Sequence, residues 1–341
     1  MVEIPYKISG NLSNKKRSNI VLSLLKLERE IGRDYFINFV ALLKSYKILG
    51  KFIHGSIKEI YSDRNTFYFK NFFSENALYK LVKQDIEWAY KLNKDIKVTI
   101  LRNGLIVYDN YKPDNFNVLL MTIHSGTWMP KNIEKKQCLD SKKRFKEEDV
   151  DTHKLYAPLV LEKAGIWIDN KFSRFACDFN RSSETAIYEN HSEKWVKEIW
   201  KEKLKSSERK FLMKSRSEFY FLLGQLINTY RFNIIFDAHS MRDSKIRPNI
   251  SFGTKYIPSF YMPIVRSMQN NLVKMGYSPV RLNVPYSGGY ILKWLNKRFP
   301  DIFTFSMEIN KKLYMTKNRK KTIDPKLLSL SSNLVKIFDI E

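Results

Sequence analysis

The chain has 341 residues, 43% of them apolar and 14% aromatic, which suits one large domain or two ordinary ones with a sizeable core and excludes a disordered chain. Lys and Arg number 60 against 35 Asp and Glu, a net charge of +25. The excess is spread, since residues 1–100 hold 18 basic and 10 acidic side chains, near their share by length, whereas nucleic-acid binders gather charge in a patch or tail.

A generally basic surface is therefore expected, and a non-catalytic protein associated with nucleic acid is the disfavoured alternative. Two cysteines, Cys138 and Cys177, are too few for a disulfide framework. The first residues lack the apolar stretch of a secretory signal, and no apolar run reaches membrane length. A cytoplasmic, reducing compartment and no membrane partner are expected.

In chain order, Leu24, Leu27, Ile31, Tyr35, Phe39, Leu42, Tyr46 and Leu49 repeat every three or four residues, the mark of one helix face. A second helix is predicted from Glu75 to Leu92, with Ser74 as N-cap. Residues 1–95 thus form a mainly helical extension or cap, and 96–341 the main domain. That domain opens with Lys97–Leu101 and Leu105–Tyr108 around Asn103-Gly104, a strong hairpin signal. Asn117–Ile123 is a continuous apolar run, as in a strand covered on both faces. Strands are then predicted at Phe175–Phe179, Asn233–Phe236, Val280–Asn283 and Thr304–Ile309. Helices are predicted at Lys154–Lys163, Glu193–Tyr230, Pro258–Met275, Tyr290–Lys297 and Lys326–Phe338, the long one with a charged helical insertion over about 193–214. Alternation of this kind argues for an α/β fold in which a sheet is layered by helices.

Two apolar runs end alike, one in His124-Ser125-Gly126 and the other in Asp237-Ala238-His239-Ser240. Each sets a histidine just past the carboxyl end of a strand, the edge where open α/β sheets bind ligands. Imidazole is the commonest zinc ligand, and the chain has only five histidines. Strand-end histidines also serve as plain hydrogen-bonding caps, and the spacing alone does not separate the two uses. A third, carboxylate ligand could come from the acidic stretch Glu147–Asp151, among whose members spacing does not choose. Arg174 and Arg181 bound a strand-like run and offer guanidinium forks for a carboxylate. The Pro285–Tyr290 turn, with Gly288-Gly289, permits close backbone approach to a ligand but lacks the ending of a phosphate loop. Glu308 sits inside an otherwise apolar strand, where burial raises a carboxyl pKa and suits it to acid–base work.

Taken in order, His124-Ser-Gly126, Glu148-Asp149 before Lys154-Leu-Tyr156, Ser173-Arg174, Asp178-Phe-Asn180-Arg181, Asp237-Ala-His239-Ser240, Ser251-Phe-Gly253-Thr254, Asn283–Tyr290 and Met307–Tyr314 resemble the N-formylglutamate amidohydrolase family over residues 117–316. That family is related to zinc carboxypeptidases. The resemblance implies a mixed central β-sheet with helices on both faces, and one Zn2+ per chain at the strand ends. It implies His124 and His239 as zinc ligands, with Asp149 as the third and Glu148 in reserve. Glu308 would serve as general base and then general acid. Arg174 would polarise the amide oxygen or bind a second carboxylate. Asn180 and Arg181 would hold a substrate carboxylate, with Tyr286 and Gly288 also at the substrate.

The activity implied is hydrolysis of an N-formyl or N-acyl amino acid that bears a carboxylate. A metallo-carboxypeptidase or amidase acting on a peptide is the alternative that uses the same residues. Two departures stand out. The His-x-x-Glu of zinc carboxypeptidases is absent, because Thr127 stands three places after His124. Residues 1–100 and the Glu193–Lys214 stretch have no recognised counterpart in the family's core.

Overall fold

The structure, a computed structural model, describes residues 76–100, 104–190, 198–318 and 321–338. The helix expected over Leu24–Leu49 lies outside the described residues. The Glu75–Leu92 prediction is met by helix α1, Asn76–Leu92. Eight strands form one mixed sheet: β1 (Lys97–Ile100), β2 (Leu105–Asn110), β3 (Val118–Thr122), β4 (Gly165–Asn170), β5 (Ile234–Met241), β6 (Ile250–Gly253), β7 (Val280–Leu282) and β8 (Phe303–Asn310). Their spatial order is β1-β2-β4-β3-β5-β8-β6-β7. The central four, β4, β3, β5 and β8, are parallel. The hairpin β1–β2 adds antiparallel to β4, and β6 adds antiparallel to β8.

Every residue of β3, β4 and β5 is buried, as a strand covered on both faces requires. Alternation along the strands divides the core in two. Leu119, Met121, Ile166, Ile168 and Ile235 face one side, under helices α3 (Ser206–Thr229) and α5 (Tyr290–Arg298). Leu120, Trp167, Phe236, Phe305 and Ile309 face the other, under α1, α2 (Thr152–Tyr156), α4 (Met262–Lys274) and α6 (Asp324–Lys336). The mixed sheet with helices on both faces is therefore as expected. Among the described residues no helix is long and apolar enough to cross a membrane.

Three elements differ from the sequence expectation. Phe175–Phe179 is a coil of turns rather than a strand, because Ser173 and Asp178 capture nearby backbone N–H groups: Phe175 N donates to Ser173 Oγ and Asn180 N to Asp178 Oδ1, at 3.2 and 2.9 Å. Its apolar residues read like a strand because the coil is packed into the core. Residues 198–205 are not helical, so the helix expected from Glu193 starts at Ser206. That stretch is pinned instead, with Asn190 Oδ1 accepting from the backbone of Ile199 and Trp200 and the Trp200 indole donating to Tyr188 O at 2.7 Å. Strand β4 was not anticipated. It begins at Gly165, whose φ is 139° and where a Cβ would lie 2.0 Å from Val118 O, so only glycine fits beside β3.

Helix α1 is bound to the sheet by more than apolar contact. Val82, Ile86 and Ala89 pack into the same core as Tyr108 and Trp167. Beneath them Lys171 Nζ sits between Asp85 of α1, at 2.5 Å, and Asp169 at the end of β4. Asp85 also meets His153 Nε2 at 3.1 Å. Burial disfavours the charged forms, yet the mutual charges prevail: the Asp85 pKa lies well below its ordinary value, and that of Lys171 lies above its own. The other oxygen of Asp169 accepts from Thr122 and Ser125, so the network ends beside His124. Lys171→Met is expected to leave two buried carboxylates facing each other and to cost about 3–5 kcal/mol. Thermal unfolding should show a midpoint lowered by roughly 6–20 °C. A shift of a degree or two would mean that the network contributes little.

Candidate active site

Parallel strands β3, β5 and β8 end at one edge of the sheet, and that edge carries the candidate residues. His124 follows β3 by two positions. His239 lies within β5 rather than beyond it, because pairing with β8 continues to Met241↔Asn310. Glu308 is registered directly opposite His239, so both side chains leave the same face. Glu308 is the one half-buried residue in a strand otherwise buried.

His124, Asp149 and His239 are all buried, and a ligand atom from each lies within 4.8 Å of the others. Asp149 Oδ2 stands 3.0 Å from His239 Nδ1 and 3.8 Å from His124 Nδ1. The far nitrogen of each imidazole is held by a further carboxylate, His124 Nε2 by Asp178 at 2.7 Å and His239 Nε2 by Asp237 at 2.9 Å. Two imidazole nitrogens, deprotonated when a metal binds, and one carboxylate oxygen form a donor set that suits zinc, and carboxylates behind the histidines are what orient metal-binding rings. The residues present therefore fit a zinc ion. Glu148, the reserve ligand, turns away: it accepts from Ser173 Oγ at 2.5 Å and lies 3.4 Å from Arg144 Nε.

The charges follow from these contacts. Burial opposes charge on His239, but Asp237 and Asp149 outweigh it and lift its pKa well above the ordinary histidine value. His124 moves the other way, pulled down by burial and then by the nearby Arg174. Asp178 is buried too, yet His124 and Arg174 hold its carboxyl well below the usual range. Burial pushes Glu308 up to about 7.

A cavity of about 450 Å³ opens on this edge, lined by His124, Asp149, His239, Glu308, Arg174 and Arg181 among others. Arg174 donates to Asp178 Oδ2 and to the Tyr188 hydroxyl, at 2.8 and 3.1 Å. The Arg181 guanidinium lies 4.5 Å from the Tyr188 ring centre and 3.7 Å from Asp178. Asn180 also lines the cavity, and its amide is engaged on both sides. Its Nδ2 donates to Asp237 Oδ2 at 3.1 Å and its Oδ1 accepts from Ile291 N at 3.0 Å, so it ties β5 to the start of α5. This approach needs Gly289, where a Cβ would lie 2.2 Å from Asn180 Oδ1. Tyr286 and Gly288 line the mouth, the former 42% exposed with Arg247 over its ring.

Asp178 and Asp237 are the residues that sequence reasoning left without a role. Asp237 was open to discovery, since residues two apart on a strand share a face and it stands two before His239. Asp178 carried no such signal, because it meets His124 across 54 positions of chain.

A mixed α/β sheet with a buried His-Asp-His donor set and a half-buried glutamate at the carboxyl edge of its parallel strands suits a hydrolase. The chain belongs to the N-formylglutamate amidohydrolase family, which its sequence matches over residues 116–315. No curated protein matches it. The N-formylglutamate amidohydrolase from Ralstonia eutropha JMP134 has a similar fold, with a TM-score of 0.55 and 16% identity over 69% of this chain and 95% of that one. A gene product from Agrobacterium tumefaciens gives a TM-score of 0.52 and 14% identity over 69% and 91%.

Proposed function

We propose that the protein is a zinc-dependent amidohydrolase that cleaves the linear amide of a carboxylate-bearing N-formyl or N-acyl amino acid. Residues 96–341 form the catalytic unit, and helix α1 packs on one face of its sheet. The observation that carries this reading is the convergence of His124, Asp149 and His239, backed by Asp178 and Asp237, beside Glu308. These three residues would hold the metal. Zinc supplies positive charge that lowers the pKa of a water to about 7 and polarises a carbonyl.

The chain's own groups do the rest. Glu308, near neutrality in pKa, takes a proton from the attacking water and returns it to the leaving nitrogen. Arg174 faces the cavity and places its guanidinium where it can share the developing negative charge of the amide oxygen. Arg181 supplies a fork for the substrate carboxylate, which fixes the amide in place. Water and amide thereby become a carboxylate and a free amine.

A panel of N-formyl, N-acetyl and short peptide substrates tests the reading. Release of formate or acetate from acyl amino acids, with peptides untouched, is expected. Cleavage confined to peptides would move the protein to the carboxypeptidase alternative. Asp178→Asn should weaken zinc binding by about 10–100-fold, because the His124 ring loses the carboxylate that orients it. Competition with a chromophoric chelator reads this directly, and an unchanged affinity would detach Asp178 from the metal site.

A further inference from the structure

Asp149 lies in a loop between two short helices, Ser141–Phe145 and α2, and is not in the sheet. Loops place side chains less precisely than strands do. Something must therefore fix the carboxylate relative to the two histidines.

The segment that follows β8 reaches this loop from below. Lys311 Nζ donates to the carbonyl of Lys146 at 2.9 Å and to that of Glu148 at 2.5 Å. Tyr314 donates its hydroxyl to the carbonyl of Val150 at 3.1 Å. The carbonyls on either side of Asp149 are thus both gripped. On the opposite flank, Asp149 N donates to His124 O at 3.1 Å, which joins the loop to the first histidine.

The Lys311 side chain is nearly fully buried, and its ammonium is bonded to two carbonyls, with Asp149, Glu147 and Glu148 acting on its charge from further off. Burial disfavours that charge, so an ammonium spent on two carbonyls needs a reason beyond packing. Lys311 also stands three residues after Glu308 on the same run of chain. One segment therefore sets the glutamate and the Asp149 loop relative to each other.

We propose that Lys311 and Tyr314 are positioning residues that hold Asp149 in its metal-binding place by clamping the carbonyls before and after it. The role rests on the metal reading given above.

The test measures the zinc Kd of the full chain by chelator competition at 25 °C, with apo melting temperature alongside. Lys311→Met should weaken zinc binding by about 10–100-fold. Lys311→Arg, which restores a buried cation able to donate to both carbonyls, should recover most of it. Tyr314→Phe removes one clamp without removing bulk and should weaken binding several-fold. It decides the matter alone if Lys311→Met does not fold. A merely structural role lowers the apo melting temperature and leaves the Kd of folded protein unchanged. Kd values within two-fold of wild type for the variants that fold would overturn the clamp. Wild-type protein that takes up no zinc would instead remove the metal reading, and the clamp with it.

Discussion

Glu308→Gln is expected to lower kcat by about 10²- to 10⁴-fold while the protein keeps its zinc. Glutamine preserves the shape and polarity of the side chain, so β8 retains its pairing with β5. It removes the one function that the proposed reaction needs there, the acceptance and return of a proton. The local setting supports that function. Glu308 is half-buried, faces the cavity, and is pushed to about 7 by burial, close to the pH at which the reaction would run. KM should change little, because the glutamate is assigned no part in gripping the substrate. The measurement is steady-state kinetics on metal-loaded variant, with zinc content taken on the same sample. Retained turnover would remove Glu308 from the chemistry.

His239→Ala should abolish both metal binding and turnover. The substitution deletes a proposed ligand, and it also strands two buried carboxylates. Asp149 loses a contact of 3.0 Å and Asp237 one of 2.9 Å. Removing one partner of a buried charged group costs about 3–5 kcal/mol, so a lowered melting temperature is expected as well. The control is His153, a buried histidine outside the donor set, which lies in α2 and pairs with Asp85. His153→Ala should lower stability yet leave zinc content intact. Equal zinc loss in both variants would mean that metal uptake follows folding rather than the donor set.

Much of the sheet edge was legible because the relevant strands carry simple signals. Apolar runs ending in His124 and near His239 announced strands with a histidine at the ligand-binding edge. Glu308 stood out as a lone carboxylate among Phe305, Met307 and Ile309, all fully buried. Other parts were hidden for physical reasons. Gly165 opens β4, and a glycine after a helical pattern reads as a stop rather than as the only residue that fits against Val118. The run Phe175–Phe179 was misread because burial, not extension, is what its apolar residues report. Asn180 bridges Asp237 and Ile291, a pairing across strand and helix that spacing does not reveal. The support of Asp149 by Lys311 and Tyr314 was equally hidden, since the partners are more than 160 positions apart.

The most direct test of the central claim is formate release from N-formyl-L-glutamate by zinc-loaded wild-type protein, followed with formate and glutamate quantified together. The account predicts equal amounts of both products, with formation abolished by chelation and restored by zinc. Protein that binds zinc yet releases neither product from this or any other N-acyl amino acid would contradict it.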